Sequence, residues 1–114
     1  MAIIYLAGPM TGVEEYNYPA FMEAARLLRK AGHTVLNPAE LFDANMKLPR
    51  TVYMKYGIKN LISAEFVAVL PNWENSRGAK LEVDVARECG LPVIPFEQFL
   101  SRNVIESESP TLWD

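Results

Sequence analysis

The chain is poor in the residues that staple or ligate. Its 114 residues include one cysteine, Cys89, and one histidine, His33. One cysteine excludes an intrachain disulfide, and a Cys/His metal site is not expected from one residue of each kind. Both read as packed or partly exposed residues at helix ends, and neither a metal nor a cofactor is expected. Neither sign of charge dominates: 11 Lys and Arg stand against 14 Asp and Glu, a net charge of −3. That balance argues against a nucleic-acid polymer or a membrane surface held by bulk electrostatics, while leaving room for a small anion at a local positive site. No apolar run approaches the ~20 residues that span a bilayer. The start "MAIIYLAGP" has neither the basic opening nor the length of a signal peptide, so a cytoplasmic protein is expected.

What is present is the composition of a globular domain. Half the residues are hydrophobic and 22% are charged, in a length that suits one domain with a real core. "AIIYLA" (2–7) is β-branched and aromatic, stops at Gly8-Pro9, and reads as a buried strand. "GPMTGVEEYNY" (8–18) reads as a loop. "PAFMEAARLLRKAG" (19–32) predicts a helix, with Pro19 in its first turn, Gly32 as its stop, and Phe21, Ala24, Ala25 and Leu28 on one face. "HTVLNP" (33–38) reads as a short strand, and residues 39–49 are ambiguous. Residues 50–65 predict a helix with Leu61 and Ile62 on its buried side.

"FVAVLP" (66–71) is the most continuous apolar strand. A loop and helix follow to Gly90, then a strand "LPVIPF" (91–96) and a short helix "EQFLS". Residues 1–101 form the expected domain and 102–114 a polar tail carrying Leu112 and Trp113. Strands alternating with helices predict an α/β fold, a doubly wound parallel sheet of flavodoxin-like (Rossmann-like) type in a single domain.

In such sheets ligands bind beyond the carboxyl ends of the strands, where strand order reverses. For a flavodoxin-like order that point lies between the first strand and "FVAVLP", and the loops there are "GPMTG" and "NWENSRG". Gly8, Pro9, Met10, Thr11 and Gly12 form either an anion-holding loop or a tight turn that needs glycine for geometry alone. The helix start at Ser76, Arg77 and Gly78 suits a phosphate, with Ser76 as a donor and Arg77 adding a charge, or Ser76 or Asn75 is an N-cap, and the two readings are compatible. Asn72 ends the third strand, where a phosphoacceptor domain of receiver type would carry an aspartate. The first loop also lacks the Ser/Thr-rich phosphate loop of a flavodoxin.

Glu82 stands out on its helix. It shares a face with Ala79, Val85, Ala86 and Cys89, whereas Lys80, Asp84, Arg87 and Glu88 gather elsewhere. It is a carboxylate stabilised by the helix dipole, a partner of an internal cation, or a nucleophile or base at the strand-end cleft. Tyr5 reads as an aromatic in the core of the first strand.

Taken together, "YLAGPMTG", "NYPAFMEAARLLRKAGHTVLNPAE" and "FVAVLPNWENSRGAKLEVDVARECGLPVI" resemble the nucleoside 2-deoxyribosyltransferase-like superfamily over roughly residues 3–96. The nearest likeness is to its small, functionally unassigned branch in bacteria and phages. The resemblance implies a flavodoxin-like fold, a homodimer or larger homo-oligomer, and cleavage of the N-glycosidic bond of a nucleoside or nucleotide. Glu82 is the implied nucleophile and Tyr5 the tyrosine beside it. Gly8, Thr11, Gly12 and Ser76 are the implied phosphate binders, favouring a 5′-monophosphate and hydrolysis over base exchange. The alternative is a nucleotide-binding module without catalysis. The resemblance departs at Gly57, where the enzymes carry an aspartate. Glu65 takes the place of a second acid that precedes the third strand and counts as substrate-binding. Asp43 or an acid from a neighbouring subunit is the candidate substitute at Gly57.

Overall fold

The computed structural model describes residues 1–10, 12–40 and 49–100. Among these residues four strands, β1 (Ile3–Ala7), β2 (Thr34–Leu36), β3 (Phe66–Val69) and β4 (Val93–Pro95), alternate with three helices, α1 (Tyr18–Lys30), α2 (Arg50–Ile62) and α3 (Arg77–Glu88). All strands are parallel, in the order β2-β1-β3-β4. The expected α/β architecture, a single flavodoxin-like domain with helices flanking a parallel sheet, is the one observed.

The central strands read as continuous apolar runs because both of their faces are covered. Ile4 and Leu6 of β1 join Phe66, Ala68 and Leu70 on one face, under Phe21, Ala24, Ala25 and Leu28 of α1. Tyr5 and Ala7 join Val67 and Val69 on the other, under Leu61 of α2 and Val83 and Ala86 of α3. Each large side chain buried this way contributes about 1.5–3 kcal/mol. The buried residues of α1 follow the i, i+3, i+4, i+7 spacing that marks one helix face. Gly32 and Gly90 end their helices at φ +99° and +76°, a backbone region that strains any side-chain-bearing residue.

Element ends differ from the sequence reading for local reasons. Helix α2 stops at Ile62 rather than 65, because the Ser63 and Ala64 amides turn back onto Asn60 and Leu61. The Glu65 amide then joins the ladder at Ile3. Only Gly57 and Leu61 of α2 are buried, while Ile62 is 58% exposed, so the expected Leu61–Ile62 pair is split. Strand β4 is half the expected length. A 3-10 turn, Phe96–Leu100, follows it and buries Phe99 edge-on against Phe66 and His33. The ambiguous stretch opens with a 3-10 turn, Pro38–Glu40. Glu40 accepts two 2.6 Å hydrogen bonds from Arg29, tying α1 to the segment after β2. Thr11, Asp43 and the tail with Leu112 and Trp113 lie outside the described residues.

Candidate active site

Strand order reverses at β1: the chain passes to β2 on one side and returns to β3 on the other. Because α1 covers one face and α3 the other, the loops after β1 and β3 part there and leave a crevice. A cavity of about 910 Å³ occupies it. Tyr5 forms part of its floor, with Gly8 and Met10 beside it. Tyr16, Tyr18 and Phe21 line one wall. The start of α2 supplies Arg50, Tyr53 and Met54, and the start of α3 supplies Ser76, Arg77, Gly78 and, a turn further on, Glu82.

The centre of this cavity is a hydrogen-bonded pair. Tyr5 is 1% exposed, and its hydroxyl donates to Oε2 of the partly buried Glu82. Tyr5 reaches Glu82 because odd-numbered residues of β1 point to the face that α3 covers. Glu82 lies beside the buried stripe of α3, which is Ala79, Val83 and Ala86. The expected companion Cys89 is exposed and Val85 only partly buried. Among the described residues the bonded partner of Glu82 is a phenol rather than a cation, so the internal ion-pair reading gives way.

Burial pushes the Glu82 carboxyl up from 4.5 to about 7, and the Tyr5 hydrogen bond pulls the other way. Burial, the Glu82 charge and the shared hydrogen bond together raise the Tyr5 hydroxyl well above its ordinary value. A carboxyl of this kind is half ionised near neutrality. It can therefore act as a nucleophile or exchange a proton under ordinary conditions.

Helix α2 closes the other side of the pair. A Cβ built on Gly57 would lie 2.8 Å from Glu82 Oε2 and 3.0 Å from the Tyr5 hydroxyl. Glycine at this point allows the helix backbone to rest on the pair. Gly8 answers a different need: a Cβ there would lie 2.8 Å from Leu70 Cβ, so the turn after β1 needs glycine to pass the end of β3.

The other sequence candidates divide. Ser76 is the N-cap of α3, its Oγ accepting from the Ala79 amide at 3.2 Å, and it also lines the cavity. Arg77 opens α3 and is exposed at the rim. Pro9 and Asn72 line a smaller adjoining cavity of about 430 Å³, which Ser76 shares. Gly12, at φ +82°, lines neither cavity. Glu65 stands apart. It precedes β3, its Oε1 accepts from the Ile3 amide at 2.8 Å, and it therefore sits at the amino edge of the sheet, opposite the cavity. Sequence reasoning missed Arg50 and the tyrosines Tyr16, Tyr18 and Tyr53. The one available signal for Arg50 was its place at a helix start, which it shares with Arg77.

In parallel α/β domains the crevice at the strand-order reversal is the usual place for a small ligand, and here it holds a carboxylate–phenol pair. Comparison with known proteins narrows this. The chain belongs to a family described as a domain of unknown function (DUF4406), whose model matches residues 2–95. No curated protein matches the chain. Among solved structures, it is similar to a 2-deoxyribosyltransferase from Bacillus psychrosaccharolyticus, described as a biocatalyst for nucleoside synthesis. That likeness has a TM-score of 0.65 and 26% identity, covering 82% of this chain and 71% of the other. A conserved protein from Enterococcus faecalis V583 shares the fold, with a TM-score of 0.59 and 24% identity. The match covers 83% of this chain and 62% of that protein. The chain therefore has a 2-deoxyribosyltransferase-like fold.

Proposed function

We propose that the chain cleaves the N-glycosidic bond of a nucleoside or nucleoside 5′-monophosphate, with hydrolysis favoured over transfer to a second base. It would stand in the small bacterial and phage branch of the 2-deoxyribosyltransferase-like superfamily. The observation that carries the reading is the Tyr5–Glu82 pair on the floor of the cavity, in a fold shared with a 2-deoxyribosyltransferase.

In the proposed reaction a Glu82 carboxylate oxygen bonds to the anomeric carbon as the carbon–nitrogen bond breaks, and its electron pair leaves with the base. The base takes up a proton from solvent, which the water attacking in the next step returns. Water then attacks the same carbon, restoring the carboxylate and releasing the sugar. The ionised carboxylate also stabilises the positive charge that develops on the sugar. Tyr5 holds Oε2 and orients the group. Ser76 retains a hydroxyl proton to donate while its oxygen caps the helix, and with Arg77 and the turn at Gly8 it would hold the 5′-phosphate. Arg50, at the same cavity wall, adds a second positive charge.

One observation favours a second reading, a nucleotide-binding module without turnover. Glu82 is the sole carboxylate lining the cavity among the described residues, and Gly57 stands where the related enzymes carry an aspartate. Incubation with a panel of nucleosides and 5′-monophosphates, with free base read by chromatography, separates the two. Base release that disappears in Glu82→Gln supports the enzyme. Saturable nucleotide binding with no release supports the module. We also propose a homodimer or larger assembly in which a neighbour completes the cavity. The exposed Tyr56 and Ile62 of α2 support it, and a stable monomer by light scattering with full ligand affinity would defeat it.

A further inference from the structure

We propose that Gly57 is a positioning residue for Glu82. The bare backbone of α2 at this point rests against Oε2 and the Tyr5 hydroxyl and holds the carboxylate in the pair. Glycine is disfavoured in the interior of a helix, where alanine is the better residue. Gly57 lies in the middle of α2 and does not use the left-handed backbone that would require glycine. Its reason is steric. The three atoms nearest a Cβ at this position are Glu82 Oε2 at 2.8 Å, the Tyr5 hydroxyl at 3.0 Å and Glu82 Cδ at 3.9 Å. All belong to the pair. The spacing at the start of α3 is ordinary by comparison: a Cβ built on Gly78 would lie 3.5 Å from Met54 Sδ.

Residue 57 is therefore more than a position lacking the relatives' acid. With α2 seated here, a side chain at 57 cannot share the space with Oε2. The ring of Tyr5 is fixed in the core, whereas the end of Glu82 is flexible. A methyl at 57 would accordingly swing the carboxylate away from Tyr5 and into the open cavity.

The test compares Gly57→Ala with Gly57→Ala in a Glu82→Ala background. Thermal unfolding at pH 4.5, where Glu82 is uncharged, is expected to show opposite signs: alanine lowers the melting temperature when Glu82 is present and raises it when Glu82 is gone. If the variant folds only in the Glu82→Ala background, the same conclusion holds. Destabilisation of equal size in both backgrounds would overturn the proposal, because glycine would then serve packing alone.

The second readout is the carboxyl-carbon NMR titration of Glu82, whose surroundings in the cavity include Tyr5, Tyr16, Tyr18, Tyr53, Arg50 and Arg77. In Gly57→Ala its midpoint should fall toward that of an ordinary carboxylate as the group enters water. An unchanged midpoint would overturn the proposal. The kinetic arm rests on the glycosidase reading: kcat should fall roughly tenfold or more with KM little changed, as for a misplaced reacting group. A wild type that releases no base would defeat that reading alone, since the melting and titration arms need no turnover.

Discussion

Replacing Glu82 by Gln should stabilise the protein at alkaline pH while removing its chemistry. Glutamine keeps the shape of glutamate, and its carbonyl can still accept from the Tyr5 hydroxyl. What it removes is the ionisable group that burial holds at about 7 instead of 4.5. Between those values the folded protein keeps a proton that the unfolded chain releases. Stability contributed at residue 82 is therefore greatest below about pH 4.5, declines as pH rises through this window, and is lost above about 7. The full difference is worth about 3 kcal/mol at about 1.4 kcal/mol per pH unit. At pH 4.5 the protonated acid and the amide are both neutral, and the two proteins should differ little. At pH 8.5 the Gln variant should be the more stable by about 3 kcal/mol, or roughly 10–20 °C in melting temperature for a domain of this size. Thermal melts of both proteins at unit steps from pH 4.5 to 8.5 provide the measurement, and using their difference cancels the other titrating groups. A constant separation across the range would refute the claim that Glu82 is held in its uncharged form by burial.

Other outcomes follow from the same geometry. If ionised Glu82 is the nucleophile, base release should rise about tenfold per pH unit on the acid side and level off above about pH 7; a flat profile between pH 5 and 8 would remove it from that role. Ser76→Ala should cost about 1 kcal/mol of stability through loss of the α3 cap. It should also weaken 5′-monophosphate binding by about 1 kcal/mol or more while sparing the nucleoside, and calorimetry showing equal losses for both ligands would refute the phosphate assignment. His33 accepts the Ala2 amide at Nδ1, and burial, followed by the nearby amino terminus, lowers its proton affinity. The unfolded chain thus binds that proton more readily, and the stability due to His33 should fall as pH drops below 6.5. His33→Asn should flatten this acid limb, and an unchanged limb in melts between pH 5 and 7 would count against it.

Several features were legible along the chain because they depend on near neighbours. Apolar runs such as "FVAVLP", the α1 face from Phe21 to Leu28 and the Gly32 stop follow from local periodicity and backbone freedom. The α/β class then follows from strands and helices in alternation. Glu82 was conspicuous as an acid beside an apolar stripe, and resemblance to known enzymes paired it with Tyr5.

What the tertiary structure decided is which distant residues meet. Arg50 and Arg77 reach one cavity only because α2 and α3 cover the same face of the sheet. The resemblance aligns Glu65 with an acid before the third strand and so implies a substrate-binding role. A parallel strand places the residue before it and the residue after it at opposite edges of the sheet, and Glu65 falls at the edge away from the cavity. Gly57 read as an absence in the sequence. In the fold it is a contact, because whether a missing side chain leaves a gap or admits a neighbour depends on how closely α2 approaches Glu82, and the packing of both helices on the sheet sets that distance.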